Sequence, residues 1–211
     1  MVEARAEILP GYIRVTDVLG YFTEPGLVDW MIKKGADHKK LAKQAMKVGT
    51  EVDNAIKLFV STGSYGKVKT VEAGSCLEGF KRWYEDYKPN LTVGERLYDD
   101  HLKITGEPDL YMGDAIIDIK CASSVRPKYH LQTAAYCKMA QKPRTAILRL
   151  HKHLDDYEFV ERTVDEVESD YDCFYSLLEV YKYFNKTTAA TGGKEDGNAD
   201  NITDDKERDQ F

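Results

Sequence analysis

Apolar positions recur every three or four residues through much of the first half of the chain. Leu41, Ala45, Val48, Val52, Ile56 and Phe59 keep this spacing, which predicts a helix from about Asp37 to Ser61. Thr62-Gly63-Ser64-Tyr65-Gly66 ends it. Pro25 marks an earlier helix start, with Leu27, Val28, Trp30, Met31 and Ile32 behind it. A third helix spans about Val71 to Tyr87, carries Leu77, Phe80, Trp83 and Tyr84, and stops before Pro89.

The period then shortens. Leu91 to Tyr98 reads as a strand, Asp99-Asp100 as a turn, and His101 to Thr105 as the hairpin partner, continued by Asp109 to Met112. Gly113-Asp114 is a tight turn into the apolar strand Ala115 to Lys120. A helix from about Pro127 to Ala140 follows, then a strand from Thr145 to Leu150. Asp155-Asp156 turns into a strand from Glu158 to Arg162, and a last helix runs from Val164 to Phe184. Helix, three-strand meander, helix, strand is the order of an α/β sandwich with a mixed sheet. The strand after the crossover helix is expected to pair parallel to a meander strand. Past Phe184 the periodicity stops, and only Ile202 and Phe211 are large and apolar. Residues 187–211 are therefore expected to be disordered. The chain divides into a helical N-terminal part (1–70), a core (71–186) and an acidic tail (187–211).

Composition narrows the class. The chain has 211 residues, 42% hydrophobic and 31% charged, the balance of a soluble globular protein. No run approaches the ~20 apolar residues of a membrane span. Met1 to Pro10 carries Glu3 and Glu7 and no long apolar block, so a cytoplasmic location is expected rather than secretion. The four cysteines (Cys76, Cys121, Cys137, Cys173) are far apart and form no C-x-x-C pair, which argues against a zinc ribbon or a disulfide scaffold. They read as core or incidental thiols.

The net charge is −6, from 30 basic and 36 acidic residues. From Lys186 onward four basic residues face seven acidic ones, so that stretch carries −3 of it. This balance excludes a wide electropositive wrap around nucleic acid. It leaves room for an enzyme that gathers carboxylates around metal ions.

The densest polar information lies between Glu95 and Tyr136. Asp118 and Lys120 are two apart on an apolar strand and share one face. Asp109 lies on the neighbouring strand, across the Gly113-Asp114 turn. Two carboxylates and an ammonium thus converge at one sheet end. Close carboxylates repel unless a cation joins them. An all-oxygen set suits a hard ion such as Mg²⁺ or Mn²⁺. The lysine can orient an attacking water or stabilise charge on a phosphate.

Pro108-Asp109 followed by Asp118-x-Lys120, in this element order, resembles the PD-(D/E)XK nuclease superfamily. Gln132-Thr133-Ala134-Ala135-Tyr136 fits the Q-x-x-x-Y motif of its RecB-like branch, which includes phage exonucleases. The resemblance covers about residues 49–150. It implies a restriction-endonuclease-like core with a helical N-terminal part. It also implies that Asp109, Asp118, the Ile119 carbonyl and Glu95 hold the metal, with Lys120 at the reacting phosphate. Gln132 and Tyr136, i and i+4 on one helical face, would lie by the active site and help hold DNA.

Relatives often read G-T-x-V-H on an upstream helix, with the histidine a metal ligand. Here Gly49-Thr50-Glu51-Val52-Asp53 places Asp53 at that position, where an oxygen would replace the nitrogen. Cys121 stands where a threonine often follows the lysine, and no cysteine cluster suited to an iron–sulfur centre is present.

Arg126 and Lys128 follow the Asp118–Lys120 strand and are placed for phosphate contact. Lys39, Lys43 and Lys47 form a stripe that reads as a solvated helix face. His151 and His153 share a strand face without a third ligand. The functional expectation is a Mg²⁺- or Mn²⁺-dependent deoxyribonuclease acting on single- or double-stranded DNA. An exonuclease is favoured, because no separate sequence-reading domain is visible. Phage or mobile-element DNA processing, with a recombination or replication partner protein, is the setting the resemblance implies. The rival readings are a non-catalytic DNA-binding or assembly module on the same fold, and a restriction-type endonuclease.

Overall fold

The computed structural model describes residues 8–190. Two sheets lie between helices. Strand β1 (Ile13–Arg14) leads into α1 (Val15–Tyr21), followed by α2 (Pro25–Lys34), a short 3-10 turn and α3 (His38–Thr62). Helix α4 (Val71–Tyr87) precedes the meander: β2 (Leu91–Val93), β3 (Leu97–Asp99), β4 (Ile104–Gly106), β5 (Leu110–Met112) and β6 (Ala115–Lys120). Helix α5 (Pro127–Ala140), β7 (Arg144–Leu150), β8 (Tyr157–Arg162) and α6 (Val164–Ala190) complete it. The larger sheet has the order β2-β5-β6-β7-β8, and the smaller β1-β4-β3.

Local chemistry sets the helix ends. Gly63, with φ of 76°, closes α3 in the left-handed conformation that glycine adopts without a Cβ penalty. The Thr70 hydroxyl accepts from the Ala73 N–H at 3.3 Å and caps α4. A Glu51 carboxylate oxygen accepts from the Lys69 and Thr70 N–H groups at 2.9 and 3.2 Å, tying α3 to the start of α4. These bonds hold its pKa below the ordinary glutamate value, the Lys69 bond foremost.

The larger sheet is mixed. Strand β6 pairs antiparallel with β5 and parallel with β7, and α5 is the crossover. This is the α/β arrangement expected from the element order, with a helical N-terminal part. Alternation along β6 feeds two cores. Ile117 packs with Val52 and Ile56 of α3 and Phe80 and Trp83 of α4. Ile116 packs with Ala134 and Tyr136 of α5 and Phe174 and Leu178 of α6. Asp118 and Lys120 share the parity of Ile116, so they face α5.

Three regions differ from the sequence expectation. Leu91 to Tyr98 is not one strand, because β2 and β3 belong to different sheets. Gly94–Arg96 on one side and Glu107–Asp109 on the other carry both chains across the break. A Cβ at Gly94 would stand 2.0 Å from the Pro108 carbonyl oxygen, so only glycine fits this crossing. Strand β1 and helix α1 have no counterpart in the sequence reading. Helix α6 continues past Phe184 to Ala190. Propagation adds one hydrogen bond per ordered residue and does not need a buried face. The tail expected to be disordered lies outside the described residues from 191 onward. Among the described residues, no helix is long and apolar enough to cross a membrane.

Candidate active site

Continuing the β5–β6 register by one residue from Leu110↔Ile117 sets Asp109 opposite Asp118. Two carboxylates directly across a strand pair repel. Three contacts relieve this. Asp109 Oδ2 accepts the Ile119 N–H at 2.8 Å. Lys120 Nζ lies 3.1 Å from Asp118 Oδ2, on the same face two residues along. Lys57 Nζ lies 3.9 Å from Asp109 Oδ1, reaching over from α3.

The Asp118–Lys120 pair is withdrawn from water, at 2% and 9% exposure. Burying charge is tolerated only with partners that satisfy it. Lys120 Nζ donates to Gln132 Oε1 at 3.0 Å, and Gln132 Nε2 donates to the Tyr136 hydroxyl at 2.9 Å. The Tyr129 ring lies under the same ammonium, 5.0 Å away at its centroid. Burial pushes the Tyr129 phenol above its ordinary pKa, against the pull of Lys120 and Arg126. A Cβ at Gly106 would come within 2.2 Å of the Tyr136 ring, so β4 meets α5 closely through a glycine.

These groups open onto a cleft of about 200 Å³ lined by Asp53, Lys57, Glu107, Asp109, Asp118, Ile119, Lys120, Gln132 and Tyr136, among others. The sequence-derived set Asp109, Asp118, Lys120, Gln132 and Tyr136 is thus brought together, and Asp53 joins it from α3. Arg14 and Arg96 also reach the cleft.

Glu95 does not lie in it. It is exposed and lines a separate shallow pocket with Tyr111 and Lys142, so the residue expected as a metal ligand and site acid is not brought together with Asp109 and Asp118. Neighbours in an extended segment point to opposite sides, and here Arg96 takes the inward side. Arg96 pairs with Glu107 at 2.8 Å. Arg126 and Lys128 do not line the cleft either, and Arg126 is paired with Glu24 at 3.2 Å.

Besides Arg14 and Arg96, four residues escaped the sequence reading. Glu107 was marked by its place beside Pro108-Asp109. Lys57 was marked by its i+4 spacing from Asp53, to which it pairs at 3.1 Å. Tyr129 was marked by its i−3 spacing from Gln132. Arg149, opposite Lys120 in the β6–β7 register, had no local signal. It pairs with Glu158 at 2.6 Å and donates to the Ser123 carbonyl at 3.2 Å, holding the loop that leaves β6. His151 packs against Arg149, with ring nitrogens 3.0 and 3.3 Å from the guanidinium.

Burial works against the Lys57 ammonium. Asp109, Asp53 and Glu107 outweigh it and hold its pKa above the ordinary lysine value. Among the described residues, no three His, Cys, Asp or Glu side chains converge as a ready metal cage. The donor chemistry nevertheless suits a hard divalent ion: Asp109 and Asp118 face each other across a strand pair in a cleft, and both are oxygen donors.

No family model and no curated protein matches the chain. Among solved structures it is similar to an alkaline exonuclease from Laribacter hongkongensis, with a TM-score of 0.42 and 16% identity over 85% of this chain and 94% of that one. The same exonuclease in complex with dAMP gives 0.42 and 15% over the same shares. A phage-related exonuclease from Haemophilus somnus gives a TM-score of 0.39 and 14% identity over 83% of this chain and 96% of that one.

Proposed function

We propose that this cleft hydrolyses phosphodiester bonds in DNA with the help of Mg²⁺ or Mn²⁺. The observation that carries the reading is the buried Asp118–Lys120 pair, 3.1 Å apart, beside Asp109 in an open cleft. A merely structural ion pair needs no access to solvent and no second carboxylate. Asp109 and Asp118, with the Ile119 carbonyl, are the residues that would hold the ion. Bound there, it would supply Lewis-acid polarisation of a phosphate oxygen and an acidified water.

The chain's own residues do the rest. Lys120 presents its ammonium to the phosphate and orients the attacking water. Gln132 fixes that ammonium by accepting from it, and Tyr136 fixes Gln132 in turn. Arg14, paired with Asp17 at 3.0 Å, and Arg96, paired with Glu107, bring guanidinium donors to the cleft wall, where the phosphates of a nucleic acid strand would compete for them. Exonucleolytic cleavage leaving 5′-phosphate ends, in phage or mobile-element DNA processing, is the fuller form of the proposal. It extends to a recombination or replication partner.

The test is digestion of single- and double-stranded DNA labelled at the 5′ or the 3′ end, with Mg²⁺, Mn²⁺ or chelator. Metal-dependent shortening from one end is the expected result. Binding of DNA without cleavage under every metal condition would favour a non-catalytic module instead.

A further inference from the structure

Lys57 occupies a position that the proposed chemistry does not use. Its ammonium lies 3.1 Å from Asp53, 3.9 Å from Asp109 and 4.0 Å from Glu107. The Asp53 contact alone would be an ordinary i,i+4 pair along α3. The other two reach across the cleft to the chain crossing beside β5. Glu107 already has Arg96 at 2.8 Å, so the cross-cleft partner that depends on Lys57 is Asp109. Asp109 Oδ2 accepts the Ile119 N–H, and Oδ1 faces the Lys57 ammonium at 3.9 Å. An ion bound at Oδ1 would therefore sit close to a positive charge.

We propose that Lys57 is a built-in cation that holds this carboxylate cluster together without metal and lowers its affinity for a divalent ion. The proposal rests on the reading that Asp109 and Asp118 take a metal ion. An ammonium cannot ligate a metal, and at this range it repels one with little water between. The same ammonium offsets the mutual repulsion of Asp53, Glu107 and Asp109. Lys57 therefore trades metal affinity for a cleft that keeps its shape when empty of metal.

Calorimetric titration of Mn²⁺ into the full-length protein, without DNA, tests this. Lys57→Gln should bind Mn²⁺ at least about tenfold more tightly than wild type, because a unit charge some 4 Å from a ligand oxygen is removed. Lys57→Arg keeps the charge and should stay within about threefold of wild type. The pair Lys57→Gln with Glu107→Gln removes one charge of each sign. It guards against unfolding of the single variant by repulsion, and its affinity should fall below that of Lys57→Gln, because a nearby negative charge is removed as well.

Unchanged or weaker binding by both Lys57→Gln and the double variant would overturn the inference while leaving the metal site standing. Asp118→Asn is the blank. If wild type and Lys57→Gln both bind Mn²⁺ no better than this blank, the metal reading itself fails, and the inference falls with it.

Discussion

Gln132 accepts a hydrogen bond from the Lys120 ammonium at 3.0 Å, and through it a helix side chain sets the position of a charge on the central strand. The bond spans the crossover between β6 and α5. It explains how a lysine can stay buried beside a carboxylate and still face a cleft. Two directions of its donor shell are spent on Asp118 and Gln132, and the Tyr129 ring covers a third side.

Lys120→Ala is expected to act on both rate and stability. Losing the charge aimed at the phosphate should lower single-turnover cleavage by about 10²–10³. Leaving Asp118 buried without its partner should cost about 3–5 kcal/mol. Urea unfolding beside a digestion time course reads both. Wild-type cleavage in a folded Lys120→Ala protein would remove Lys120 from the reaction.

Tyr136→Phe deletes the hydroxyl that accepts from the Gln132 amide and keeps the ring. It should cost about 1 kcal/mol of stability and change the rate less than Gln132→Leu, which strips Lys120 of its own acceptor. The two substitutions together should be non-additive by about 0.5–3 kcal/mol, because they share one chain of bonds. Strict additivity in melting experiments would show that the chain does not act as a unit.

Mn²⁺ should stabilise the fold by mass action, by about 2.7 kcal/mol at a free concentration ~100 times the dissociation constant. Asp118→Asn should abolish most of this shift. Glu95→Gln should leave both the shift and the cleavage rate untouched, since Glu95 faces a different pocket. A lost shift in Glu95→Gln would place that residue back at the metal.

His130 gives a pH dependence with a defined sign. Burial lowers its pKa below the usual 6.5, and Arg162 lowers it further, while Asp170 and Glu166 oppose. As pH falls through about 6.5 the unfolded chain takes up its proton first, so stability drops until the lower folded value is passed. His130→Asn should flatten that slope between about pH 7 and 5. A stability curve over this range with the same slope in both proteins would show that His130 does not set it.

Much of this was legible beforehand where one segment carries its own instructions. Pro127 starts α5, and the spacing of Gln132 and Tyr136 along it already put both on one face. The Asp118-x-Lys120 alternation inside an isoleucine-rich strand likewise placed both groups together. What escaped depends on tertiary context. Val15, Val18 and Leu19 make too short a run for periodicity to mark a helix, and they are buried only where α5 and α6 pack on them. The break at Gly94 turns on a backbone approach to Pro108 that a Cβ would block, and with it goes the direction of Glu95. Lys57 looks like any lysine on a helix until Asp109 and Glu107 are folded against it.

Strand β1 pairs with β4 at Ile13↔Ile104, across nearly half the chain. Closing so long a loop costs entropy that the two residue pairs of β1 repay only in part. The short β1–β4 pairing is therefore expected to open more readily than the six-residue β6–β7 pairing at the centre of the larger sheet. In a deuterium-exchange experiment the amides of Ile13 and Arg14 should be lost well ahead of those of Ile117 and Asp118.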